Sequence, residues 1–271
     1  MAVEAGLERW LPADGSRLAE AMRYAALGGG KRFRPLLLLA SGEAFGASRE
    51  TLLPYACAVE LIHNYSLVHD DLPSMDNDDL RRGKPACHKA FGEGLALLAG
   101  DGLLTLAFEV IARAPAPSGD AGRKDLAFRE IAAASGVGGM IQGQWLDISL
   151  SPADADEASF LELIGKKTGA LIRASVAAGA LLAGAPPRGL EAAGEYGAAV
   201  GLAFQLCDDL ADAGRTGSPT GLDAVALFGR DGTRARLEEC LAKAREALAR
   251  GGIDSEELRR LAADLGPEGE A

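Results

Sequence analysis

Residues 60–85 read ELIHNYSLVHDDLPSMDNDDLRRGKP, and this stretch decides the fold class. Its first half continues an apolar pattern of helical periodicity that begins near residue 51. The predicted helix ends at the pair Asp70 and Asp71, and Asp76 follows across a Leu-Pro-Ser-Met connection. Carboxylates this close together repel one another unless a cation compensates them, and oxygen ligands suit magnesium. The stretch therefore predicts an apolar helix that ends in a magnesium site.

Basic residues follow these acids directly, in the order Arg81, Arg82 and Lys84. His63 lies seven residues before Asp70, so the two side chains share one face of the helix. Magnesium on one side and guanidinium groups on the other are the groups that hold a polyphosphate. A solvated acidic loop with incidental arginines is the alternative, and the second aspartate cluster of the chain disfavours it.

The second cluster is the stretch FQLCDDLAD at residues 204–212. Gln205, Asp208, Asp209 and Asp212 follow the spacing i, i+3, i+4, i+7, so all four side chains share one helix face. Taken alone, this face is as compatible with an ordinary solvated stripe as with a metal site. Two clusters that each end an apolar helix favour facing helices that hold metal ions across a central cavity.

The rest of the chain predicts an all-α fold in a single domain, residues 1–271. Hydrophobic residues make up 48% of the sequence and aromatic residues only 5%, and the abundant alanine and leucine are good helix formers. The periodicity predicts helices at 17–27, 34–46, 51–70, 90–113, 125–134, 157–184, 188–213, 233–249 and 255–264.

Charge and cysteine usage exclude several other classes. The net charge of -11 argues against a nucleic-acid-binding protein. The four cysteines are far apart and form no CxxC pair, which argues against a disulfide framework or a structural zinc site. We see no signal peptide at the N-terminus, and the apolar runs are too short to span a bilayer. We therefore expect a cytoplasmic protein without a membrane span.

Two further segments carry weaker signals. GGGKRFRP at residues 28–35 places Lys31, Arg32 and Arg34 beside glycines that allow close approach of a phosphate, although basic turns are common. GKKTG supplies Lys167 and Thr168. The flanking glycines allow Lys167 to point into a cavity, and the alternative is an ordinary lysine on the surface. Gln144 and Asp147, one helical turn apart in GQWLD, are also able to satisfy each other.

These motifs together resemble those of the trans-isoprenyl diphosphate synthases, and most closely the bacterial farnesyl diphosphate synthases, with geranylgeranyl diphosphate synthases nearby. The resemblance covers residues 20–213. It is carried by GGGKRFRP, HNYSLVHDDLPSMDNDDLRRGKPACHKAFGE, LAGDGLL, GQWLD, KKTGALI and FQLCDDLAD. It implies an isoprenoid synthase-type helix bundle around a deep central cavity, and a homodimer.

The resemblance also implies the substrates and the cofactor. Isopentenyl diphosphate condenses with an allylic diphosphate such as dimethylallyl or geranyl diphosphate, after the allylic C–O bond ionises. Three magnesium ions, for which manganese can substitute, assist this ionisation. Their implied ligands are Asp70, Asp71, Asp76, Asp208, Asp209 and Asp212.

The implied roles of the other residues fall into three groups. Thr168 and Gln205 lie beside the developing allylic cation. Arg81, Lys167 and Lys84 support the allylic diphosphate. The diphosphate of isopentenyl diphosphate is held by Lys31, Arg34, His63 and Arg82.

Product length follows from the residue that forms the cavity floor in this family. That position is Tyr65, followed by Ser66, and a bulky ring there implies farnesyl diphosphate, with geranyl and geranylgeranyl diphosphate as alternatives. The chain departs from the family after Asp212, where the loop is shortened and no lysine occurs between Lys167 and Lys243; Arg215 is the nearest cation. A non-catalytic partner subunit of a heteromeric synthase is the alternative of another class. A class I terpene cyclase has no use for the basic GGGKRFRP segment.

Overall fold

The computed structural model describes residues 2–117, 120–151, 155–213 and 223–266. Within these residues the chain is helical except for loops and one short antiparallel hairpin. Its strands, β1 (Leu80–Arg81) and β2 (Lys84–Pro85), have two residues each. The all-α prediction is therefore confirmed. Contacts divide the chain into two compact units, residues 1–36 with 49–115 and residues 37–48 with 116–271. The single-domain assignment stays a prediction.

The first unit is built from helices that pack on the long helix carrying the first aspartate pair. Its helices are α1 (Ala2–Trp10), α2 (Arg17–Ala26), α4 (Arg49–Asp70), α5 (Cys87–Phe91) and α6 (Glu93–Arg113). Helix α4 packs along α6, and Leu61, Ile62 and Leu103 are fully buried in this unit. Burial of such side chains contributes about 1.5–3 kcal/mol each. The core of this unit therefore fixes the end of α4 at Asp70.

The second unit holds the remaining helices, and α3 (Phe33–Ala44) begins in the first unit and continues into this one. Its helices are α7 (Ala121–Ser135), α8 (Met140–Ser149), α9 (Glu157–Ile164), α10 (Ala170–Ala183), α11 (Pro187–Asp212), α12 (Ala224–Gly251) and α13 (Glu256–Ala263). A π-helical turn, Gly165–Gly169, joins α9 to α10. The π-helical turn packs against α8 and α11, and α12 packs along α11.

Side-chain caps explain where several helices begin. Ser16, Asp120, Asp223 and Ser255 each accept a hydrogen bond from a backbone N–H in the first turn that follows. Asp156 and Ser159 form a reciprocal capping box at the start of α9. Such caps satisfy donors that the first turn leaves unpaired and contribute about 1 kcal/mol each.

The helix predictions are confirmed, with the following differences. Gly92, at φ 89°, divides the predicted 90–113 into α5 and α6. The predicted 157–184 contains the π-helical turn, and α12 starts at Ala224 with a non-helical break at Gly229. Helices α1 and α8 are additional to the predicted ones. The shortened loop and Arg215 lie outside the described residues.

Helix α6 is, among the described residues, the one helix long and apolar enough to cross a membrane by length and composition, with a mean hydropathy of 1.8 over its most apolar window. Core helices pass the same test. Here α6 packs against α2, α4 and α5.

Candidate active site

The first aspartate cluster is a closed loop at the end of α4. The backbone N–H of Asp76 donates to the carbonyl oxygen of Asp70 at 2.9 Å, so the two ends of the loop meet. Inside the loop, the carbonyl oxygen of Leu72 accepts from the N–H groups of Met75 and Asn77 at 2.8 and 3.1 Å. The loop therefore brings the backbones of Asp70 and Asp76 together, although five residues separate them in sequence.

Asp71 is held in a different way from its neighbour. Its side chain is 2% exposed and accepts from Arg81 Nε at 3.0 Å and from Arg81 Nη2. Arg81 Nη2 also donates to Asp78 Oδ2 at 3.1 Å. Burial raises the pKa of Asp71, against the opposing effect of the Arg81 guanidinium. Asp71 thus neutralises and orients Arg81.

Arg82, the next residue, lies in the turn of the hairpin with a left-handed φ of 53°. Its Nη1 donates to the carbonyl oxygen of Gly29 and to Asn64 Oδ1, the latter at 3.3 Å. Gly30 is at φ 121°, and a Cβ placed on it would come within 2.8 Å of Arg82 Cζ. The glycine segment and the arginine pair, far apart in sequence, are therefore in direct contact.

The basic segment 31–34 divides between core and surface. Arg32 is 2% exposed; it donates to Glu60 Oε1 at 2.5 Å, to Glu4 Oε1 at 2.8 Å and to the carbonyl oxygen of Ala26 at 2.8 Å. The expectation that Arg32 neutralises a phosphate is wrong, because two carboxylates already compensate it. Lys31 is exposed and Arg34 is 8% exposed.

His63 lies in a strongly positive environment within the same unit. Burial, followed by the charges of Arg34 and Arg82, keeps the pKa of His63 well below its ordinary value. A neutral imidazole donates one hydrogen bond and accepts another. A small nearby cleft is lined by Asn64, Arg81, Arg82 and Lys84 among others. This concentration of cations fits an anion with several oxygens.

The predicted chain-length residues lie one turn before the first aspartate. Tyr65 is 7% exposed, and its ring packs edge-on against His69 with 5.7 Å between the ring centroids. His69 lies against Gly100 of α6, where an added Cβ would be 2.1 Å from its Nε2. Ser66 Oγ donates to the carbonyl oxygen of His63 at 3.0 Å. Tyr65 is thus fixed by packing close to the helix end.

The second cluster is tied to neighbouring elements by a chain of hydrogen bonds. Thr168 Oγ1 donates to Gln205 Oε1 at 2.9 Å, and Gln205 Nε2 donates to Asp209 Oδ1 at 2.8 Å. Asp209 Oδ2 accepts the N–H of Ala224, the first residue of α12, at 2.8 Å. Burial raises the pKa of Asp209, against the effect of these two donors. The predicted partners Thr168 and Gln205 are therefore brought together.

Lys167 forms an ion pair with Asp147, an acid for which the sequence suggests Gln144 as the partner. Its Nζ lies 2.5 Å from Asp147 Oδ2. The suggestion that Gln144 and Asp147 satisfy each other is wrong, and Gln144 Nε2 is buried without a hydrogen bond among the described residues. Gly143 makes the pairing possible, because a Cβ there would meet the backbone N of Lys167 at 2.2 Å.

The aspartates fit a hard divalent cation by their chemistry. Among residues 2–117, 120–151, 155–213 and 223–266, no three His, Cys, Asp or Glu side chains are already gathered as a metal site. Asp70 and Asp208 are partly buried, and Asp76 and Asp212 are exposed, so a hydrated cation can reach them. Carboxylate oxygens without nitrogen or sulfur ligands are typical of magnesium sites.

Comparisons with known proteins agree on one group. The family model described as polyprenyl synthetase matches residues 16–226. The chain is 43% identical to a farnesyl diphosphate synthase of Escherichia coli (strain K12) over 93% of its own length and 89% of that protein. It is 41% identical to a chloroplastic heterodimeric geranylgeranyl pyrophosphate synthase large subunit 1 of Arabidopsis thaliana, covering 91% and 70%.

A solved structure gives the same result for the fold. The crystal structure of an FPP/GFPP synthase from Zymomonas mobilis superposes with a TM-score of 0.88 at 37% identity and covers 97% of this chain and 96% of that one. The chain therefore has the all-α isoprenoid synthase fold.

Proposed function

The chain belongs to the polyprenyl synthetase family and is a prenyltransferase, and we propose that it condenses isopentenyl diphosphate with dimethylallyl and geranyl diphosphates to make farnesyl diphosphate. The observation that carries the proposal is the pair Arg81 and Arg82 beside the closed loop of Asp70 and Asp76. Within the described part of the chain, Arg81 donates to carboxylates, whereas Arg82 donates to an amide oxygen and a backbone oxygen. The site thus offers ligands for both a metal-bound and a metal-free diphosphate.

Members of this family use a divalent metal. The proposed ion is Mg²⁺, with three ions bound, and Mn²⁺ as a substitute. The proposed ligands are Asp70, Asp71, Asp76, Asp208, Asp209 and Asp212, of which Asp71 also contacts Arg81 and Asp209 also contacts Ala224. When bound, magnesium stabilises negative charge that develops on the leaving diphosphate.

The chain's own residues bind and orient the two substrates in this proposal. Arg81, Lys167 and Lys84 bind the allylic diphosphate. Asp71 and Asp147 hold two of these cations, Arg81 and Lys167, in place. The second diphosphate is bound by Lys31, Arg34, His63 and Arg82.

Thr168 and Gln205 stabilise positive charge in the same scheme. Their hydrogen bond and the link from Gln205 to Asp209 fix both oxygen dipoles before the reaction, which is the condition for effective electrostatic stabilisation. The double bond of isopentenyl diphosphate attacks the allylic carbon, and the released diphosphate accepts the proton that is lost. No side-chain nucleophile is required.

Farnesyl diphosphate is the proposed product because Tyr65 is bulky and rigidly packed. The named relatives include both farnesyl and geranylgeranyl synthases. Ser66, the next residue, is the second proposed determinant of length.

A homodimer is part of the proposal, and α6 supplies the supporting surface. Leu97 and Leu98 are 47% and 55% exposed on this apolar helix. Light scattering of the wild type should give twice the chain mass, and Leu98→Glu should shift the molecule towards the monomer. A monomeric wild type would contradict this part. We also propose a cytoplasmic location.

The test is incubation of the purified chain with magnesium, isopentenyl diphosphate and one primer at a time, with products identified by mass spectrometry. Primers are dimethylallyl, geranyl and farnesyl diphosphate. Elongation that stops at fifteen carbons is the expected result. A twenty-carbon product would keep the reaction and reject Tyr65 as the floor.

No elongation with any primer, in a folded protein, would overturn the proposal. The missing lysines after Asp212 would then favour the non-catalytic partner subunit. Activity that appears only on mixing with a second synthase chain would establish that alternative.

A further inference from the structure

We propose that Asn64 is a positioning residue that sets the guanidinium group of Arg82 for the diphosphate of isopentenyl diphosphate. The inference rests on the proposed function for the identity of the substrate. The choice of Asn64 as the positioning residue rests on the contacts that its side chain makes. Asn64 lies on the buried side of α4, 1% exposed, between the first aspartate pair and Glu60.

The Arg82 side chain has three fixed contacts. Its Nη1 donates to the carbonyl oxygen of Gly29 and to Asn64 Oδ1, the latter at 3.3 Å. The third contact is Gly30, whose missing side chain leaves the space that the guanidinium group fills. We call these three contacts the cradle of Arg82. Asn64 is the only one of the three that contributes a side chain, so a substitution can remove its contact without changing the backbone.

Asn64 is itself fixed from behind. Its Nδ2 donates to the backbone oxygen of Glu60 at 2.7 Å and to Glu60 Oε1 at 3.0 Å. Glu60 Oε1 also accepts from Arg32, which in turn donates to Glu4 of α1. Because both donors of the amide point at Glu60, its oxygen is directed towards Arg82. The result is a chain of hydrogen bonds from α1 to the hairpin turn, buried at Arg32, Glu60 and Asn64.

The chemistry of Asn64 suits this position better than a carboxylate would. Arg81 donates to the carboxylates of Asp71 and Asp78, which neutralise it. Among the described residues, Arg82 donates to neutral acceptors, an amide oxygen and a backbone oxygen. An amide therefore orients the guanidinium group and leaves its full positive charge for an incoming anion.

The electrostatic surroundings support this difference. Burial and the positive charges of Arg32 and Arg81 lower the pKa of Arg82, against the effect of Glu60. The pKa of Arg81 is raised, because its bonds to Asp71 outweigh the effect of burial. Of the two neighbouring arginines, Arg82 gains more from a bound anion.

The test is calorimetric titration with inorganic pyrophosphate in a chelator, so that cationic side chains alone hold the anion. The proteins are the wild type, Asn64→Ala, Arg82→Ala and the double variant. Asn64→Ala should weaken binding about tenfold, the effect of losing one hydrogen bond to a charged group. In the Arg82→Ala background it should cause no further loss, because residues that act through one another are non-additive.

Asn64→Ser is the second variant. Ser135 and Ser175 show that a buried serine in this chain donates to the carbonyl oxygen four residues earlier. A serine at 64 can therefore keep the bond to Glu60, but it is too short to reach Arg82. It should fold like the wild type and bind pyrophosphate as weakly as Asn64→Ala. The matched control is Tyr55→Phe. Tyr55 also lies in α4, and this substitution removes its hydrogen bond to the carbonyl oxygen of Pro115.

Steady-state kinetics add a readout that a purely structural role would not move. The KM for isopentenyl diphosphate should rise about tenfold, with the KM for geranyl diphosphate and kcat unchanged. Unchanged pyrophosphate affinity in both Asn64 variants, or equal losses with and without Arg82, would overturn the proposal. Failure of elongation in the wild type would reject the proposed function alone, because pyrophosphate binding is measured without turnover.

Discussion

The two aspartate clusters look alike in sequence and are built differently in the fold. In each, an apolar helix carries two adjacent aspartates, and the second accepts hydrogen bonds from neighbouring elements. Among the described residues, Asp71 accepts from a cation, Arg81, whereas Asp209 accepts from two neutral donors, the amide of Gln205 and the N–H of Ala224. The first cluster is therefore partly neutralised without metal. The hydrogen bonds that hold Asp209 in the second cluster bring no positive charge to it.

The largest expected effect concerns the first aspartate of each pair. Asp70→Ala and Asp208→Ala should each lower kcat about a thousandfold or more, because each removes a proposed metal ligand whose loss leaves the leaving diphosphate unstabilised. Melting temperatures should stay close to that of the wild type, because neither residue is deeply buried. Near-normal turnover in either variant would reject the metal assignment for that cluster.

Substitution of the second aspartate of each pair, Asp71 or Asp209, should lower the free energy of unfolding by different amounts. Asp71→Asn removes the charge partner of Arg81, which is about one-third exposed, and should cost about 2–3 kcal/mol. Asp209→Asn keeps one acceptor oxygen and should cost about 1 kcal/mol, the net worth of one hydrogen bond. Urea denaturation measures both values. Equal costs would show that a cation and two dipoles hold an aspartate equally well.

The cradle of Arg82 can be probed with two neighbouring glycines. Gly30 and Gly29 are at φ 121° and 88°, so alanine is strained at both, but only at position 30 does the new Cβ meet Arg82. Gly30→Ala should therefore raise the KM for isopentenyl diphosphate about tenfold or more, which corresponds to about 1.4 kcal/mol. Gly29→Ala should mainly lower the melting temperature. Equal KM values would show that strain alone matters.

Tyr65→Ala tests whether product length is determined beside the first aspartate cluster. The variant should make products longer than fifteen carbons, because the ring next to His69 is removed. Tyr65→Phe keeps the ring and should leave the product distribution unchanged. Mass spectrometry of the products decides; an unaltered distribution in Tyr65→Ala would move the floor to another residue.

The smallest effect is a pH dependence shared by the two clusters. The pKa of Asp71 and of Asp209 is raised from 3.8, in both cases mainly by burial. A carboxyl group whose pKa is higher in the folded state stabilises the fold below its unfolded pKa, and this contribution is lost as the pH rises through the folded value. The advantage of Asp209 over Asp209→Asn should therefore shrink as the pH rises above about 4. A constant or growing difference would contradict this.

Sequence reasoning found the elements and the acids but not the partners. Spacing predicts which residues share a helix face, so the ends of α4 and α11 and the pairs Asp70–Asp71 and Asp208–Asp209 were predicted correctly as sequence features. Spacing does not say which partner an aspartate will contact, because Arg81 and Ala224 reach Asp71 and Asp209 through the tertiary structure. The metal roles themselves stay predictions.

The same limit explains the residues that were misread or missed. Arg32 has a φ of 51° and donates to Glu60 in the core, and sequence spacing does not reveal that partner. Asn64 gave no signal, because an asparagine in an apolar helix has no motif. A buried polar residue requires a partner, and that requirement is the one clue the sequence offered.

The π-helical turn Gly165–Gly169 gives the chain a place where a change in length can be absorbed. A π-helix turns the chain by a smaller angle per residue than an α-helix, so its five residues complete about the same rotation as four α-helical residues. Helices α9 and α10 therefore keep the phase of one regular helix, and the buried Phe160 and Leu163 of α9 stay on its core side. Deletion of one residue from GKKTG would leave this phase unchanged and alter only the placement of Lys167 and Thr168. The same deletion within α10 would rotate the two parts of that helix relative to each other by about 100°.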